Sequence, residues 1–372
     1  MGSGLPADSL RIPLFKVFLP PRDELIPALE AVLYSRQISE GPPVAAFEEK
    51  FAREFDLPAC LSLSSGTAAL HVALILAGVG PGDEVISTPM TAEPTNMAIR
   101  HAGGRIVWAD VDPSNGTLAA ESIAARITPR TRAIMVVHYA GIPASLRAIR
   151  AVADAHRLPV IEDAAHALGA RYDGHPIGTH SEFVMFSLQA IKHMTTVDGG
   201  ILVCRSPEAT RRGRLIRWFG IDRSASRTEV DVPLVGFKYH MNNVTATIGL
   251  AQLPHVRAVI ERHVANGIYY DAALKGMAGL EMCRWDLAAE PSYWLYSVLA
   301  ERRDDLIRRL AERGIAASTV HRRNDWHSVF ADSRCPLPGL DTFYARMVHL
   351  PCGWWVTDED RDYIVDTIRQ GW

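Results

Sequence analysis

The feature that most constrains this chain is the alternation of short β-rich apolar runs with segments of helical periodicity along most of its length. Apolar runs of about four to eight residues bounded by turn residues are typical of buried strands. The runs are 59–64, 84–88, 105–110, 133–138, 159–163, 183–188 and 199–204. Because helices between strands allow successive strands to run parallel, the pattern predicts an α/β fold. Its mostly parallel central sheet would be covered by helices on both faces.

Helical periodicity supplies the other half of the pattern. Helices are predicted near 23–33, 66–78, 145–157, 206–218 and 241–275. From Tyr293 the sequence changes to one strand, "YWLYSVLA", followed by a charged helical segment over 302–314. This change indicates a smaller α/β domain at the C-terminal end. We therefore predict an N-terminal segment plus a large α/β domain over residues 1–255, and a small α/β domain over residues 256–372.

Composition excludes several classes of partner. The 372 residues carry a formal net charge of −3 and no run of basic residues, so neither nucleic acid nor an acidic membrane is an expected partner. No stretch approaches the roughly 20 apolar residues that a membrane helix needs. The start, "MGSGLPADSLRIPLF", lacks the pattern of a signal peptide. Five scattered cysteines without a C-x-x-C pair indicate reduced thiols, so we expect a cytoplasmic protein.

The segment "SSGTAAL" (64–70) places small residues and a glycine where a predicted strand leads into a helix. In open parallel sheets ligands bind beyond the carboxyl ends of the strands, and the unpaired N–H groups of a helix start can hold an anion there. An ordinary helix start with a serine cap explains the segment equally well. The segment does not have the spacing of a nucleotide-triphosphate loop, and the chain contains no G-x-G-x-x-G.

Two further polar positions follow predicted strands. The strand in "VIEDAAHALGA" (160–170) ends in Glu162 and Asp163, and Lys192 follows "FSLQAI". Taken singly, the acids could cap the next segment, and the lysine could extend its stem to water. Taken together, an anion cradle, a buried carboxylate and a lysine at one edge of the sheet match the needs of pyridoxal phosphate. Its phosphate, its ring nitrogen and its aldehyde each require one of these groups.

The same segments resemble a known family. "SSGTAAL", "VIEDAAHALGA", "FSLQAIKHMTTVDGG" and "GFKYHMNNVTATIGLAQL" are similar to the DegT/StrS-type sugar aminotransferases, which are fold type I pyridoxal-phosphate enzymes. The resemblance extends over nearly the whole chain. It implies a homodimer with shared active sites that needs no metal. It also implies transfer of an amino group from an amino acid, usually glutamate, to a keto-sugar nucleotide in amino-sugar biosynthesis, with pyridoxamine phosphate formed in between.

The resemblance also implies roles for residues at the cofactor ring. Lys192 would form the Schiff base with the cofactor, and Asp163 would pair with its pyridine nitrogen. His166 would lie near the cofactor at a position where many relatives have glutamine. Burial of Lys192 would lower the pKa of its amine toward that of a usable nucleophile, and the released amine could then act as general base and acid. An ionised Asp163 would keep the ring nitrogen protonated and the ring electron-poor.

At the cofactor phosphate the resemblance implies Gly66, Thr67 and Ser187. It also implies Lys238, from the partner subunit, at a position where many relatives have asparagine. One position departs from the family, because Ala92 stands where many members have an aromatic residue that stacks on the pyridine ring. The sequence leaves open what replaces that stacking.

Several alternatives stay open. A keto-cyclitol could be the acceptor instead of a keto-sugar nucleotide. Some relatives replace the lysine by histidine and act as sugar dehydratases, but Lys192 argues against this reaction and His193 beside it is then incidental. A non-catalytic regulatory relative is a third possibility. A metal site built from the two histidines of "HRRNDWH" (321–327) has less support from the sequence than any of these alternatives. The two arginines of this segment suit an anionic sugar nucleotide, and a solvated surface turn fits the segment equally well.

Overall fold

The computed structural model describes residues 10–226 and 228–372 and confirms the predicted α/β fold. The described residues form thirteen strands. The strands are β1 (Cys60–Leu63), β2 (Glu84–Ser87), β3 (Arg105–Trp108), β4 (Thr131–Val137), β5 (Val160–Asp163), β6 (Arg171–Tyr172), β7 (His175–Pro176), β8 (Phe183–Ser187), β9 (Gly200–Cys204), β10 (Leu280–Met282), β11 (Ala289–Glu290), β12 (Tyr296–Ala300) and β13 (Met347–Leu350). Seven of them form the central sheet, in the order β1-β9-β8-β5-β4-β2-β3. Two three-stranded sheets accompany it, in the orders β10-β12-β13 and β11-β6-β7.

Helices cover the sheets and bury their apolar faces. They are α1 (Arg22–Tyr34), α2 (Pro42–Glu54), α3 (Gly66–Leu76), α4 (Glu93–His101), α5 (Ala120–Arg126), α6 (Leu146–Ala155), α7 (Pro207–Ile216), α8 (Asn243–Ala273), α9 (Arg303–Glu312), α10 (Pro338–Arg346) and α11 (Asp358–Arg369). Strands β4, β5 and β8 are buried along most of their length because both faces of the central sheet are covered. None of the helices in residues 10–226 and 228–372 has the length and apolar character to cross a membrane.

The direction of the strands brings several chain segments to one edge of the central sheet. Strands β2, β3, β4, β5 and β8 run parallel, whereas β9 is antiparallel to both of its neighbours, β8 and β1. Residues 188–199 therefore connect β8 to β9 as a return loop at the carboxyl edge of the parallel strands. This loop contains Lys192, and the ends of β1 and β5 reach the same edge.

One predicted strand begins later than expected. The segment "YWLYSVLA" predicts a strand from Tyr293, but β12 begins at Tyr296. Tyr293 has a φ of 48°, in the left-handed region, which cannot continue an extended strand. The chain therefore turns just before β12. Trp294 lies in this turn rather than in the pleat of the small sheet.

The long helix α8 crosses the position at which the two domains were predicted to meet. It runs through residues 255 and 256 without a break and packs against α1 and α2 as well as α11. The third apolar core, which contains Tyr270, Tyr296 and Val348, joins the second half of α8 to the small sheet. The division into 1–255 and 256–372 stays a prediction. Its residues 1–9, and most of the stretch tested for a signal peptide, lie outside the described residues.

Candidate active site

A cavity of about 330 Å³ lies at the carboxyl edge of the central sheet. Ligand pockets in proteins usually measure about 300–1,000 Å³, so this cavity can hold a small molecule. Six of the seven predicted site residues line it: Gly66, Thr67, Asp163, His166, Ser187 and Lys192. The fold therefore gathers residues that are far apart in the sequence. The seventh residue, Lys238, lies outside the cavity.

A larger cavity of about 560 Å³ lies beside α2 and α7 and is lined by other described residues. Its most buried cation, Arg217, donates hydrogen bonds to both Glu48 and Glu40, the latter at 2.8 Å. The carboxylates already neutralise this arginine, so it is not available to an anionic ligand. We therefore place the candidate active site in the smaller cavity, where polar groups remain free.

The start of α3 forms one wall of the cavity. Ser65 caps the helix, because its hydroxyl oxygen accepts a hydrogen bond from the backbone N–H of Ala68 at 3.0 Å. The N–H groups of Gly66 and Thr67, at the first two positions, have no partner within the helix and suit an anion. A Cβ atom at Gly66 would lie 3.3 Å from the Cβ of Ser187. The absence of a side chain at Gly66 keeps this helix start close to the serine hydroxyl.

The return loop of residues 188–199, here called the lysine loop, is followed by Gly200, which packs against the same helix start. Gly200 pairs with Ser187 in β8 and lies next to β1 on its other side. A Cβ atom at Gly200 would lie 2.5 Å from the carbonyl oxygen of Ser65 and 2.7 Å from the nitrogen of Gly66. Contacts this short do not occur for real Cβ atoms, and here the opposing atoms belong to rigid backbone. The close approach of β9 to α3 therefore requires glycine.

The two acids at the end of β5 have different surroundings, because neighbouring strand residues point to opposite faces. Glu162 is fully buried and pairs with His138, with 2.8 Å between Oε2 and Nε2. Asp163 lines the cavity and accepts hydrogen bonds from the Thr95 hydroxyl at 2.6 Å and from the Ala165 N–H at 3.0 Å. Burial raises the pKa of Asp163, and these two donors together with nearby positive charge act against that rise. A cationic ligand group would further favour its ionised form.

Lys192 lies in the return loop, past the end of β8 at Ser187. Its side chain is partly buried and faces the cavity, with Nζ 4.0 Å from the centre of the Trp294 ring. Burial lowers the pKa of Lys192 to about 7, although the negative charge of Asp163 acts in the opposite direction. A large fraction of this amine is therefore neutral near pH 7, as a nucleophile or general base requires.

His166 is a buried, neutral imidazole in the cavity wall. Burial is the main reason that its pKa lies well below the usual range, and the positive charge of Lys192 lowers it further. Its Nδ1 accepts a hydrogen bond from the backbone N–H of Ala140 at 3.3 Å, which assigns the proton to Nε2. The ring stacks on Trp294, with centroids 3.8 Å apart and 11° between the planes. His166 therefore offers one N–H donor from a fixed ring.

Two residues near the ligand position, Thr95 and Trp294, were missed by sequence reasoning, and a third, His321, was considered only for a metal site. Thr95 contacts Asp163, Trp294 contacts Lys192, and His321 lines the cavity with an Nε2 atom that is buried without a hydrogen-bond partner in the described chain. No spacing rule connects these residues to the lysine or the acid. Only the position of Thr95 after "TAEP", at the carboxyl end of β2, pointed to this edge of the sheet. Ala92 also lines the cavity, but its methyl group offers no ring for stacking.

Lys238 is exposed, and its backbone forms a bridge with Trp218. The next residue, Tyr239, accepts a hydrogen bond at its carbonyl from the N–H of Ser64, at the end of β1. The segment thus passes close to the helix start that lines the cavity. The Lys238 side chain itself is directed to the protein surface, so this chain's own cavity lacks it.

Two other segments considered from the sequence have structural partners. His193 is buried behind the lysine loop, with Nε2 3.1 Å from the carbonyl oxygen of Ser292, and it does not line the cavity. Arg323, in "HRRNDWH", is buried and forms ion pairs with Asp325 and Asp341. These partners explain why the two residues are buried. The ion pairs of Arg323 occupy its guanidinium group, whereas the other arginine of the segment, Arg322, is exposed.

The residues around the cavity fit the cofactor that the sequence predicts. A phosphate suits the free N–H groups of the α3 start and the Ser187 hydroxyl. A protonated ring nitrogen suits Asp163, because a cation beside this carboxylate would offset the burial that raises its pKa. An aldehyde suits the amine of Lys192, whose pKa is lowered to about 7. The donors and acceptors present therefore match the three polar parts of pyridoxal phosphate.

Comparison with known proteins agrees with this fit. A sequence model of the DegT/DnrJ/EryC1/StrS aminotransferase family matches residues 21–369. The chain is 35% identical over 322 residues to the UDP-4-amino-4-deoxy-L-arabinose–oxoglutarate aminotransferase of Shewanella sediminis, and the match covers 82% of each chain.

Solved structures with the same fold cover almost the whole chain. The sugar aminotransferase CalS13 from Micromonospora echinospora superposes with a TM-score of 0.94 and 41% identity, over 97% of this chain and 100% of CalS13. AtS13 from Actinomadura melliaura gives a TM-score of 0.94 and 43% identity, over 97% of this chain and 99% of AtS13. The similarity therefore includes the segments that build the cavity.

Proposed function

Because the chain belongs to the DegT/DnrJ/EryC1/StrS aminotransferase family, we propose that this cavity transfers an amino group from glutamate to a keto-sugar nucleotide. The family match confirms the resemblance read from the sequence, the fold type I architecture, and pyridoxal phosphate as the cofactor. The observation that carries the proposal is the convergence of Lys192, Asp163 and the start of α3 on one cavity. The amino donor, the acceptor and the role of each residue are parts of the proposal.

We assign the polar parts of the cofactor to separate groups of the cavity. Gly66 and Thr67 would bind the phosphate through backbone N–H groups, and Ser187 through its hydroxyl. Asp163 would hold the proton on the ring nitrogen. The Nε2–H of His166 would donate a hydrogen bond from its fixed ring. Lys192 would hold the cofactor covalently through Nζ.

When bound, pyridoxal phosphate withdraws electrons from Cα of the amino acid, so that this carbon can lose its proton. Lys192 Nζ, with its lowered pKa, would take this proton as general base and deliver it as general acid to the cofactor carbon C4′, and with the keto acceptor the same two transfers would run in reverse. Asp163 is held in place by Thr95 and by the Ala165 N–H, so its charge stays at a fixed position throughout the reaction.

Relatives support the choice of substrates. The Shewanella sediminis relative is named for a UDP-linked 4-amino sugar and oxoglutarate, the keto acid that corresponds to glutamate. CalS13 is described as a sugar aminotransferase. We propose the same classes of substrate here, and a role in making an amino sugar. The five free cysteines, four of them buried, support our proposal that the enzyme works in the cytoplasm.

A substrate panel tests the acceptor. The purified protein, supplied with pyridoxal phosphate and glutamate, would be assayed with keto-sugars linked to dTDP, UDP or GDP and with keto-cyclitols. We expect amino-sugar nucleotide and oxoglutarate to form in equal amounts with at least one nucleotide-linked ketone. If only keto-cyclitols are turned over, the acceptor is a keto-cyclitol and not the proposed keto-sugar nucleotide. Loss of water from the sugar without amino transfer would indicate a dehydratase, and uptake of cofactor without turnover of any ketone would favour a regulatory protein.

We further propose that the protein is a homodimer and that Lys238 completes the site of the partner subunit. Lys238 is exposed beside the start of α3. Nearby Phe219, Val232 and Val235 expose 42%, 52% and 82% of their surface, which is a common property of subunit interfaces. A lysine at the cofactor phosphate would form a charge-assisted hydrogen bond, roughly twice as strong as a neutral one.

Subunit mixing tests this assignment. Lys192→Ala and Lys238→Ala homodimers, each impaired alone, would be mixed and allowed to exchange subunits. If sites are shared, hybrid dimers contain one site with both lesions and one with neither. We expect about a quarter of wild-type activity, since half of the dimers are hybrids and each has one intact site of two.

A matched mixture provides the control. Lys192→Ala mixed with Asp163→Asn should recover no activity, because both lesions affect the cavity of their own chain and every hybrid site keeps one of them. Hybrid formation would be measured independently with two affinity tags. Hybrids of Lys192→Ala and Lys238→Ala that form but stay inactive would contradict the shared site.

A further inference from the structure

Trp294 contacts the lysine loop in two ways. Its indole Nε1–H donates a 2.8 Å hydrogen bond to the carbonyl oxygen of Ile191, the residue before Lys192. Its ring also lies under the lysine amine, with Nζ 4.0 Å from the ring centre. The side chain of Trp294 thus contacts both the backbone and the reactive end of the lysine segment, although the two residues are more than 100 positions apart.

The indole ring is itself held firmly. Trp294 is 2% exposed and stacks with His166, and it also stacks with Phe15 at a centroid distance of 4.9 Å and an interplanar angle of 30°. The backbone on either side of it is anchored, because the N–H groups of Ser292 and Leu295 donate to carbonyl oxygens of the 140–141 turn. A side chain held by ring stacking, a hydrogen bond and an anchored backbone can set the position of a more flexible neighbour.

The free amine of Lys192 needs such a neighbour. In the described parts of the chain Lys192 forms no ion pair within 4.0 Å, not even with Asp163 across the cavity. A long, flexible lysine without a fixed partner would move among several rotamers. An aromatic face within about 6 Å attracts an ammonium group, and tryptophan does so most strongly. The indole face, whose centre lies 4.0 Å from Nζ, therefore holds the protonated fraction of Lys192, and the neutral amine forms at that position when the proton leaves.

We propose that Trp294 is a positioning residue that holds the free amine of Lys192 in the cavity, ready to bond to the cofactor. The proposal rests on the proposed function of Lys192 as the attachment point. In the attachment step the amine nitrogen bonds to the aldehyde carbon of pyridoxal phosphate, and the aldehyde oxygen leaves as one water with two protons from the nitrogen. Pyridoxamine phosphate carries no aldehyde and binds without this bond. Trp294 should therefore matter for the first compound and not for the second.

The test compares the two compounds on cofactor-free protein. Pyridoxal phosphate attachment would be followed by stopped-flow absorbance, and pyridoxamine phosphate affinity by equilibrium dialysis. For Trp294→Leu we expect attachment to slow about tenfold, because the aromatic face and the bond to Ile191 are both lost. We expect pyridoxamine phosphate affinity to stay within about twofold, since this compound does not use the amine of Lys192 and the His166 ring keeps its hydrogen bond from the Ala140 N–H. Trp294→Phe keeps an aromatic face and should slow attachment only about threefold.

Trp108 provides matched controls, because it is equally buried but lies in β3 away from the cavity. Trp108→Leu and Trp108→Phe should leave the ratio between the two measurements unchanged. Equal losses for both compounds in Trp294→Leu, or no loss for either, would overturn the positioning role. A phenylalanine variant as slow as the leucine variant would overturn the part assigned to the aromatic face. Wild-type protein that takes up neither compound would instead contradict the proposed function itself.

Discussion

Replacing Lys192 by alanine should abolish covalent cofactor attachment and lower transamination by about 10³-fold, because one side chain serves as both attachment point and proton carrier. Borohydride treatment of the wild-type protein should fix the cofactor on the peptide that contains Lys192. The same treatment of Lys192→Ala should leave every peptide unlabelled. Peptide mass spectrometry and a glutamate-dependent assay measure the two effects separately.

Two variants separate the chemistry of the amine from its charge. Lys192→Arg keeps a positive charge, but a guanidinium stays protonated and cannot attack an aldehyde, so we expect it to be as inactive as the alanine variant. Lys275→Ala removes an exposed lysine just after α8 and should behave as wild type. Labelling of a lysine other than Lys192, or near-normal turnover in Lys192→Ala, would contradict the assignment of the active site.

The change Asp163→Asn should leave cofactor binding largely intact and lower turnover about 10²- to 10³-fold. The amide keeps the size of the side chain. Its one oxygen can still accept the hydrogen bond from the Ala165 N–H, and the Thr95 hydroxyl, which bonds to the other carboxylate oxygen, can turn to accept one from the amide NH2 group. It carries no negative charge, so it cannot hold the proton on the ring nitrogen. Turnover of saturated enzyme and equilibrium binding of pyridoxamine phosphate would be measured on the same preparation.

The control for Asp163→Asn is the same change at another aspartate, Asp154. Asp154→Asn alters an exposed residue of α6 that pairs with Arg150, and it should affect neither measurement. If cofactor binding falls together with turnover, Asp163 is needed to bind the cofactor and not to keep its ring nitrogen protonated. Unchanged turnover would show that its charge has no part in the reaction.

Much of the fold follows from local sequence patterns. The strands of the central sheet could be predicted because a strand buried on both faces is a short run of apolar, β-rich residues. The helices between them could be predicted because their apolar residues recur with the helical period of about 3.6 residues. Two details depend on distant contacts and could not be predicted. The turn at Tyr293 delays β12, and α8 continues through the predicted domain boundary because its two halves pack on different partners.

The same limit applies to the site. Three parts of the site can be found in the sequence because each departs from the local pattern of its element. They are the glycine and small residues at the start of α3, the acid at the end of β5, and the lysine after a buried strand. Trp294 violates no pattern, since an aromatic residue before a strand is common. Its contact with Lys192 exists only once the chain is folded, as does the contact of Thr95 with Asp163.

The double glycine at the start of β9 limits how this enzyme can be altered. Its second residue, Gly200, follows the lysine loop in sequence, yet a Cβ atom there would meet first the backbone atoms of Ser65 and Gly66. Any mutational library that varies the lysine loop and includes Gly200 would therefore disturb the far side of the site, where phosphate is proposed to bind. Variation aimed at new substrates has more freedom at the exposed cavity residue Asp198 than one position further along the loop, at buried Gly199. Tolerance to substitution thus changes sharply between adjacent residues.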